Sequence, residues 1–217
     1  MPSVLSTKIL TPPQKNLLIN AGLSLIEYNA IQIEVLELAQ ECYKDHYPHA
    51  IVTSQKAAEL IKHFSIGKCY CVGDKTALSL KDYGFLVEAK ANNTKELAEK
   101  ILTNYHNNSF VFFGSQQSRP ELSEMLLESG IDLKEFFVYK THLIPKQFNR
   151  SFDAVLCFSP SGVDSLFKLN ASLDSSLICI GNTTATQARD YSKRVYVSSK
   201  TSVESLIVKA VQLLTPN

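Results

Sequence analysis

The chain has 217 residues, with 22 Lys and Arg against 21 Asp and Glu and a net charge of +1, so it has room for one large or two small domains and lacks the basic excess of a nucleic-acid module. No apolar run approaches the roughly 20 residues of a membrane span, and the opening "MPSVLSTKIL" has no long apolar core of the secretory type. A soluble, cytoplasmic protein with no nucleic-acid or membrane partner is expected, and an anionic ligand would have to be met by local groups.

In chain order, β-rich runs alternate with helical patterns. "SVLSTKIL" reads as a strand, "PPQKNLLINAG" as a helix and "LSLIEY" as a strand. Next comes "CYKDHYPH" (Cys42 to His49), where Cys42, Asp45, His46 and His49 are metal-ligand types at short spacing. Pro48 interrupts that cluster and no second ligand group accompanies it, so it reads as an exposed polar approach to the strand "AIVTS", and no metal is expected. The alternation continues through "QKAAELIKHF", "CYCVG", "KTALSLKDYG", "FLVEA", "TKELAEKILTNY", "SFVFFG", "SRPELSEMLLESG" and "KEFFVYKT". It ends with "DAVLCFS", "SGVDSLFKL", "LICIG", "TTATQARDYS", "RVYVSS" and "SVESLIVKAVQLL". Strand followed by helix, many times over, implies an α/β fold of parallel sheets flanked by helices.

Gly22, Gly84 and Gly130 stand where helices should stop. Thr94, and Thr201 or Ser202, are candidate N-caps, with Leu97, Ala98 and Ile101, and Leu206, Ile207 and Ala210, on the buried faces. Four of the five cysteines (Cys69, Cys71, Cys157 and Cys179, but not Cys42) lie in apolar strand-like runs, which predicts reduced, buried thiols rather than a disulfide framework.

Three pieces of this pattern recur in the same order. "IVTSQKAAEL" resembles "LCFSPSGVDSL" with Ser54 opposite Ser159, "VGDKTA" resembles "IGNTTA" with Gly73 opposite Gly181 and Thr76 opposite Thr184, and Leu97 aligns with Leu206. The offsets are 105, 108 and 109 residues, as expected for two similar α/β domains. Because the C-terminal copy supplies only three clear strands, the N-terminal pair of strands is assigned to it. This gives a discontinuous domain, 1–30 with 145–217, and an inserted domain, 35–140, joined by crossings near 29–35 and 141–150.

Ligands of open parallel sheets bind beyond the carboxyl ends of the strands. Both hexapeptides lie there, with a glycine that admits a close approach and a helix thought to begin at Thr76 or Thr184. Thr53, Ser54 and Gln55, and Ser159 and Ser161, occupy the equivalent strand-to-helix turns. Any one such hydroxyl ordinarily just caps its helix; its occurrence in matched pairs points to a cleft rich in donors for anions. No Walker loop and no GxGxxG is present, so nucleotide binding has no support.

Taken in order, "VLSTK", "IVTSQKAAEL", "VGDKTALSLKDYG", "FVFFGSQQSRPELSEMLLESG", "FFVYKT", "FSPSGVDSL" and "IGNTTATQARDYSKRVYV" resemble the uroporphyrinogen-III synthase family over nearly the whole chain. The resemblance implies two similar α/β domains on a two-stranded linker and no cofactor. It also implies a small-molecule substrate, hydroxymethylbilane, a linear tetrapyrrole with eight carboxylates, handled by a monomer. The implied reaction is closure to uroporphyrinogen III with loss of water and inversion of the last ring. Tyr139 in "VYKT" matches the tyrosine that the family places in its cleft, and is the candidate proton donor. Lys8, where the family often has arginine, is a candidate carboxylate anchor. Lys56, Lys75 and Arg119 are further cationic candidates.

The chain departs from the family in three places. "TKI" replaces the frequent Thr-Arg-Pro, the interval from Gly114 to Arg119 is longer by one residue with Phe113 where a basic residue is common, and the stretch from Ile33 to His49 is short. The competing reading is a two-domain binding protein that closes on an anionic metabolite without transforming it.

Overall fold

The computed structural model describes residues 1–43 and 45–215. Its elements in chain order are β1 (Ser3–Ser6), α1 (Pro12–Asn20), β2 (Ser24–Glu27), β3 (Ile31–Val35), a short 3₁₀ turn (Gln40–Tyr43), β4 (His46–Val52), α2 (Gln55–Leu60), β5 (Ser65–Val72), α3 (Asp74–Asp82) and β6 (Leu86–Ala91). They continue with α4 (Thr94–Asn104), β7 (Phe110–Ser115), α5 (Glu121–Glu128), β8 (Leu133–Leu143), β9 (Ala154–Cys157), α6 (Pro160–Phe167), β10 (Ser176–Cys179), α7 (Asn182–Ala188), β11 (Val195–Val197) and α8 (Val203–Leu214). The chain divides into two compact units, residues 1–32 with 142–217, and residues 33–141.

The first unit holds a five-stranded sheet in the order β11-β10-β9-β1-β2, parallel at every step. Residues alternate between its faces, as the period of a strand requires. Leu5, Val155, Cys157, Leu177 and Cys179 pack under α6 and α7 with Val163, Leu166 and Ala185. Val4, Ala154, Leu156 and Ile178 pack on the other face against α1 and α8 through Leu18, Leu206, Ile207 and Ala210. The result is a helix–sheet–helix sandwich. Each fully buried Leu, Ile or Phe contributes about 1.5–3 kcal/mol to it.

The second unit repeats this plan on a six-stranded sheet, β3-β8-β7-β4-β5-β6, in which β8 through β6 run parallel. Ala50, Val52, Cys69, Cys71, Val111 and Phe113 face α2 and α3. Ile51, Tyr70, Phe110 and Phe112 face α4 and α5. The two chain crossings are β3 and β8, neighbours at one edge of this sheet.

Gly22, Gly84 and Gly130 end their helices at φ of 76°, 86° and 81°, the left-handed turn that glycine adopts without a Cβ penalty. Leu97, Ala98 and Ile101 on α4, and Leu206, Ile207 and Ala210 on α8, are buried as the periodicity required. Ser202 caps α8 by accepting from the Ser205 amide. On α4 the cap is Asn93 rather than Thr94: Asn93 Oδ1 accepts from the Glu96 amide at 2.9 Å, and Thr94 becomes the first helical residue.

β4 also corrects the reading of "CYKDHYPH". The strand begins at His46, so His46, Pro48 and His49 lie within it rather than on an approach to it. Proline is tolerated there because β4 meets β7 only from Ala50 onward, which spares the ladder bond that its missing N–H would have made. Opposite it stands Gly67, where a Cβ would lie 2.8 Å from the Pro48 carbonyl oxygen. His46 Nδ1 pairs with Ser65 Oγ at 2.8 Å and His49 Nδ1 with Tyr70 Oη at 3.1 Å.

Candidate active site at the carboxyl edges of the sheets

In each unit the strand ends that open into helices gather the polar residues. In residues 33–141 that edge carries Thr53 to Gln55 after β4, Gly73 after β5, the loop from Gln116 after β7, and Tyr139 on β8. In the other unit it carries Thr7 and Lys8 after β1, Ser159 to Ser161 after β9, and Gly181 after β10.

Tyr139 owes its direction to a fault in the strand register. Phe113 pairs with Phe136 and Gly114 with Phe137, but Ser115 pairs with Tyr139, so Val138 is the extra residue of a β-bulge. Regular alternation would send Tyr139 to the same face as Phe137, among the side chains under α4 and α5. The bulge instead places it with Val138, on the face covered by α2. There Tyr139 Oη donates to Ser54 Oγ at 3.2 Å, while Ser54 Oγ accepts from the Ala57 amide at 3.0 Å as the N-cap of α2. Two site residues expected from sequence thus meet, 85 positions apart in the chain.

The backbone behind Tyr139 is held tightly. The Gln116 amide donates to the Tyr139 carbonyl at 2.9 Å. Gln117 Oε1 accepts from the Thr141 amide at 2.7 Å and from Ser115 Oγ at 3.0 Å, and Ser118 Oγ accepts from the Ser115 amide at 3.0 Å. The sequence reading did not single out Ser115, Gln117 or Ser118; the run of hydroxyl and amide side chains in "GSQQS" was the available signal. Phe113, noted for standing where the family has a basic residue, is fully buried between Tyr47, Phe64 and Phe136.

The two hexapeptides differ in detail. Gly73 caps α3 at φ 84°, whereas Gly181 caps α7 in extended backbone at φ −171°. Both helices start two residues earlier than expected, at Asp74 and Asn182, because each glycine is itself the cap. Thr76 and Thr184 are therefore third helical residues, and both are buried, at 5% and 3% exposure. What the turns offer is the amides of the first helical residues, which have no partner inside a helix. The charge differs as well: Asp74 puts a carboxylate, ion-paired with Lys90, at the start of α3, and Asn182 leaves the start of α7 neutral.

The remaining candidates are divided between surface and turn. Ser159 Oγ accepts from the Gly162 amide at 3.0 Å, and a Cβ on Gly162 would come within 3.1 Å of that hydroxyl. Ser161 and Thr53 are half-buried, Gln55 is exposed and reaches Ser79 Oγ at 3.3 Å, and Lys8 is exposed just past a turn in which Ser6 Oγ donates to its carbonyl. Lys56 is paired with Glu59 at 3.0 Å, and Lys75 and Arg119 are exposed.

All five cysteines are free. Burial pushes Cys69 up to about 12 and Cys71 up to about 11, which leaves these two thiols protonated and poor nucleophiles. Among the described residues no group of three His, Cys, Asp or Glu side chains could hold a metal ion.

The sequence model of the family described as uroporphyrinogen-III synthase HemD matches residues 14–208. The chain belongs to that family. Solved structures of uroporphyrinogen-III synthases share its fold. The Helicobacter pylori enzyme is 20% identical with a TM-score of 0.62, over 98% of this chain and 100% of that one. A mutant of the Thermus thermophilus enzyme is 14% identical with a TM-score of 0.76, over all of both chains. The wild-type Thermus thermophilus enzyme is 16% identical with a TM-score of 0.59, over 99% and 98%. No curated protein matches the chain by sequence. For a uroporphyrinogen-III synthase, the reaction to be carried is cyclisation of hydroxymethylbilane to uroporphyrinogen III.

Proposed function

We propose that Tyr139 is the proton donor of this cyclisation and that the strand-to-helix turns at the carboxyl edges of both sheets hold the substrate's carboxylates. The observation that carries the reading is Tyr139 itself. It is a half-buried phenol turned by a bulge toward the first turn of α2 and anchored there on Ser54. Thr53, Ser54, Gln55, Gly73 and Thr76 supply one set of hydroxyls and amides. Lys8, Ser159, Ser161, Gly181 and Thr184 supply the other, with Thr76 and Thr184 contributing main-chain amides. Charge-assisted hydrogen bonds contribute about 1.5–3 kcal/mol each, so several of them hold an octa-acid without a strong basic patch.

The chemistry asks little of the protein beyond placement. A proton passes from Tyr139 Oη to the terminal hydroxyl, the C–O bond breaks with its electron pair leaving on water, and an azafulvenium cation remains. The substituted α-carbon of the last pyrrole attacks that cation to form a spiro intermediate; its older bond to the neighbouring ring's methylene then breaks, leaving an azafulvenium on that ring, and the free α-carbon of the turned pyrrole closes on it. The proton released as the closing ring regains aromaticity returns to the Tyr139 phenolate. Positioned acids typically contribute ~10²–10⁴-fold, and because this dehydration is intrinsically easy, the contribution here falls below that range, at about tenfold.

Both donor sets lie on one chain, which supports action as a monomer, and the near balance of charge, +1 overall, supports a reading without a nucleic-acid partner. Free thiols support a reducing compartment such as the cytoplasm. The test is incubation with freshly generated hydroxymethylbilane, oxidation, and separation of the porphyrin isomers. The type III isomer is expected, and type I alone, the product of spontaneous closure, overturns the reading and leaves only binding. Tyr139→Phe is expected to slow closure about tenfold; unchanged turnover removes the acid role from Tyr139.

A further inference from the structure

We infer that Ser54 acts through Tyr139 rather than on the substrate. Its hydroxyl relays the Ala57 amide to the phenol, which makes it a positioning residue for proton donation. The inference rests on the assignment of Tyr139 as the acid and narrows the part given to Ser54.

A serine oxygen has two lone pairs and one proton to give. In the structure one lone pair accepts the Ala57 amide at 3.0 Å and the other accepts the Tyr139 hydroxyl at 3.2 Å. Both acceptor sites are used within the protein, and the Ser54 proton remains. If the two O–H bonds rotate, with no heavy atom moving, the link reverses. Ser54 then donates to Tyr139 Oη, and the phenol proton is freed for the departing hydroxyl. The Ala57 amide stays on Ser54 Oγ in both arrangements and makes its O–H a better donor.

This reversal matters only as the bond breaks. When the proton leaves Tyr139 Oη and the C–O electron pair departs on water, negative charge forms on the phenol oxygen where the Ser54 proton already points. It is cancelled when the closing ring returns a proton. Hydrogen bonds to an ionised partner are roughly twice as strong as neutral ones, so the gain falls on the transition state and on kcat, with KM little changed.

The experiment is steady-state kinetics of the full chain on freshly generated hydroxymethylbilane. Ser54→Ala, Ser54→Thr and Ser54→Asp are compared singly, and Ser54→Ala is also made in the Tyr139→Phe background. Ser54→Ala is expected to lower kcat about tenfold with KM within about twofold, and Ser54→Thr, which keeps the hydroxyl, to restore most of it. Ser54→Asp keeps a cap for α2 but, as a carboxylate, has no proton to give Tyr139; it should melt like the wild type and be as slow as Ser54→Ala. In the Tyr139→Phe background Ser54→Ala should add less than twofold.

A raised KM with kcat kept, full activity of Ser54→Asp, or equal slowing by Ser54→Ala in both backgrounds would overturn the relay while leaving Tyr139 as the acid. Unchanged turnover in Tyr139→Phe removes the acid and the relay together. If Ser54→Ala fails to fold, the aspartate and threonine variants decide the matter.

Discussion

Asp153, the residue before β9, takes two hydrogen bonds from Ser3, one from its amide at 2.7 Å and one from its hydroxyl at 2.9 Å. The amide is the larger cause, and together they hold the carboxyl group below its ordinary 3.8. A depressed carboxylate stabilises the fold fully above its unfolded value, and that contribution is lost as pH falls through the folded one. Asp153→Asn is therefore expected to cost about 1 kcal/mol at pH 7, an amount already discounted for its exposure, and to flatten the acid limb of stability. Urea unfolding between pH 3 and pH 7 checks this, and curves that fall in parallel for both proteins would place the acid sensitivity elsewhere. Single residues were also where the sequence was least readable. "FFVYKT" identified Tyr139 as a candidate, but the alternation of Phe136 and Val138 gives no hint of the bulge that turns it to Ser54, because that bulge arises from pairing with a strand read separately. Thr76 and Thr184 matched as letters, yet their hydroxyls are buried, since the glycine before each helix sets the helix start and hence the face on which its third residue falls.

The elements themselves were legible. Every strand and helix of the sheets except β3, which had been read only as a crossing, follows a run whose apolar spacing announces it, and the positive-φ glycines stand at three of the expected helix ends. What escaped was local chemistry. Asn93 outcompetes Thr94 as a cap because it stands three residues before Glu96, the spacing at which a side-chain oxygen reaches the orphan amide of the third helical residue, and Pro48 does not break a strand that still lacks its second neighbour. The paired glycine turns give a test at this scale. Gly73 sits at φ 84° with open space where a Cβ would go, so Gly73→Ala is expected to destabilise by about 1 kcal/mol through backbone strain alone. Gly181 is extended, and its added Cβ would meet only Thr201 Cγ2 at 3.2 Å, so Gly181→Ala should cost clearly less, about half of that or below. Thermal unfolding of the two variants ranks them, and equal losses would show that the repeated turns share one conformation after all.

Across the whole molecule, two units repeat one plan, a parallel sheet with a helical layer and a separate apolar core on either face. The repeat offsets hinted at this duplication because homologous turns keep their residue types. They could not reveal strand order, which depends on pairings between distant segments. The inserted unit starts and finishes on adjacent strands, β3 and β8, and closes both of its cores by itself. A fragment of residues 33–141 is therefore expected to unfold cooperatively in urea and to keep an α/β circular-dichroism spectrum; a non-cooperative melt would show that it depends on the rest of the chain. The discontinuous unit behaves differently during synthesis. Its first strand, β1, lies inside the sheet between β2 and β9, and pairs with β9 through Val4 and Ala154, Leu5 and Val155, and Ser6 and Leu156. At translation speeds of about 5–20 residues per second, β1 waits roughly 8–30 s on the ribosome before β9 is made. Through that interval Val4 and Leu5 have only β2 beside them and their β9 side stays open, so the order in which the strands emerge makes this segment a natural target for early chaperone capture.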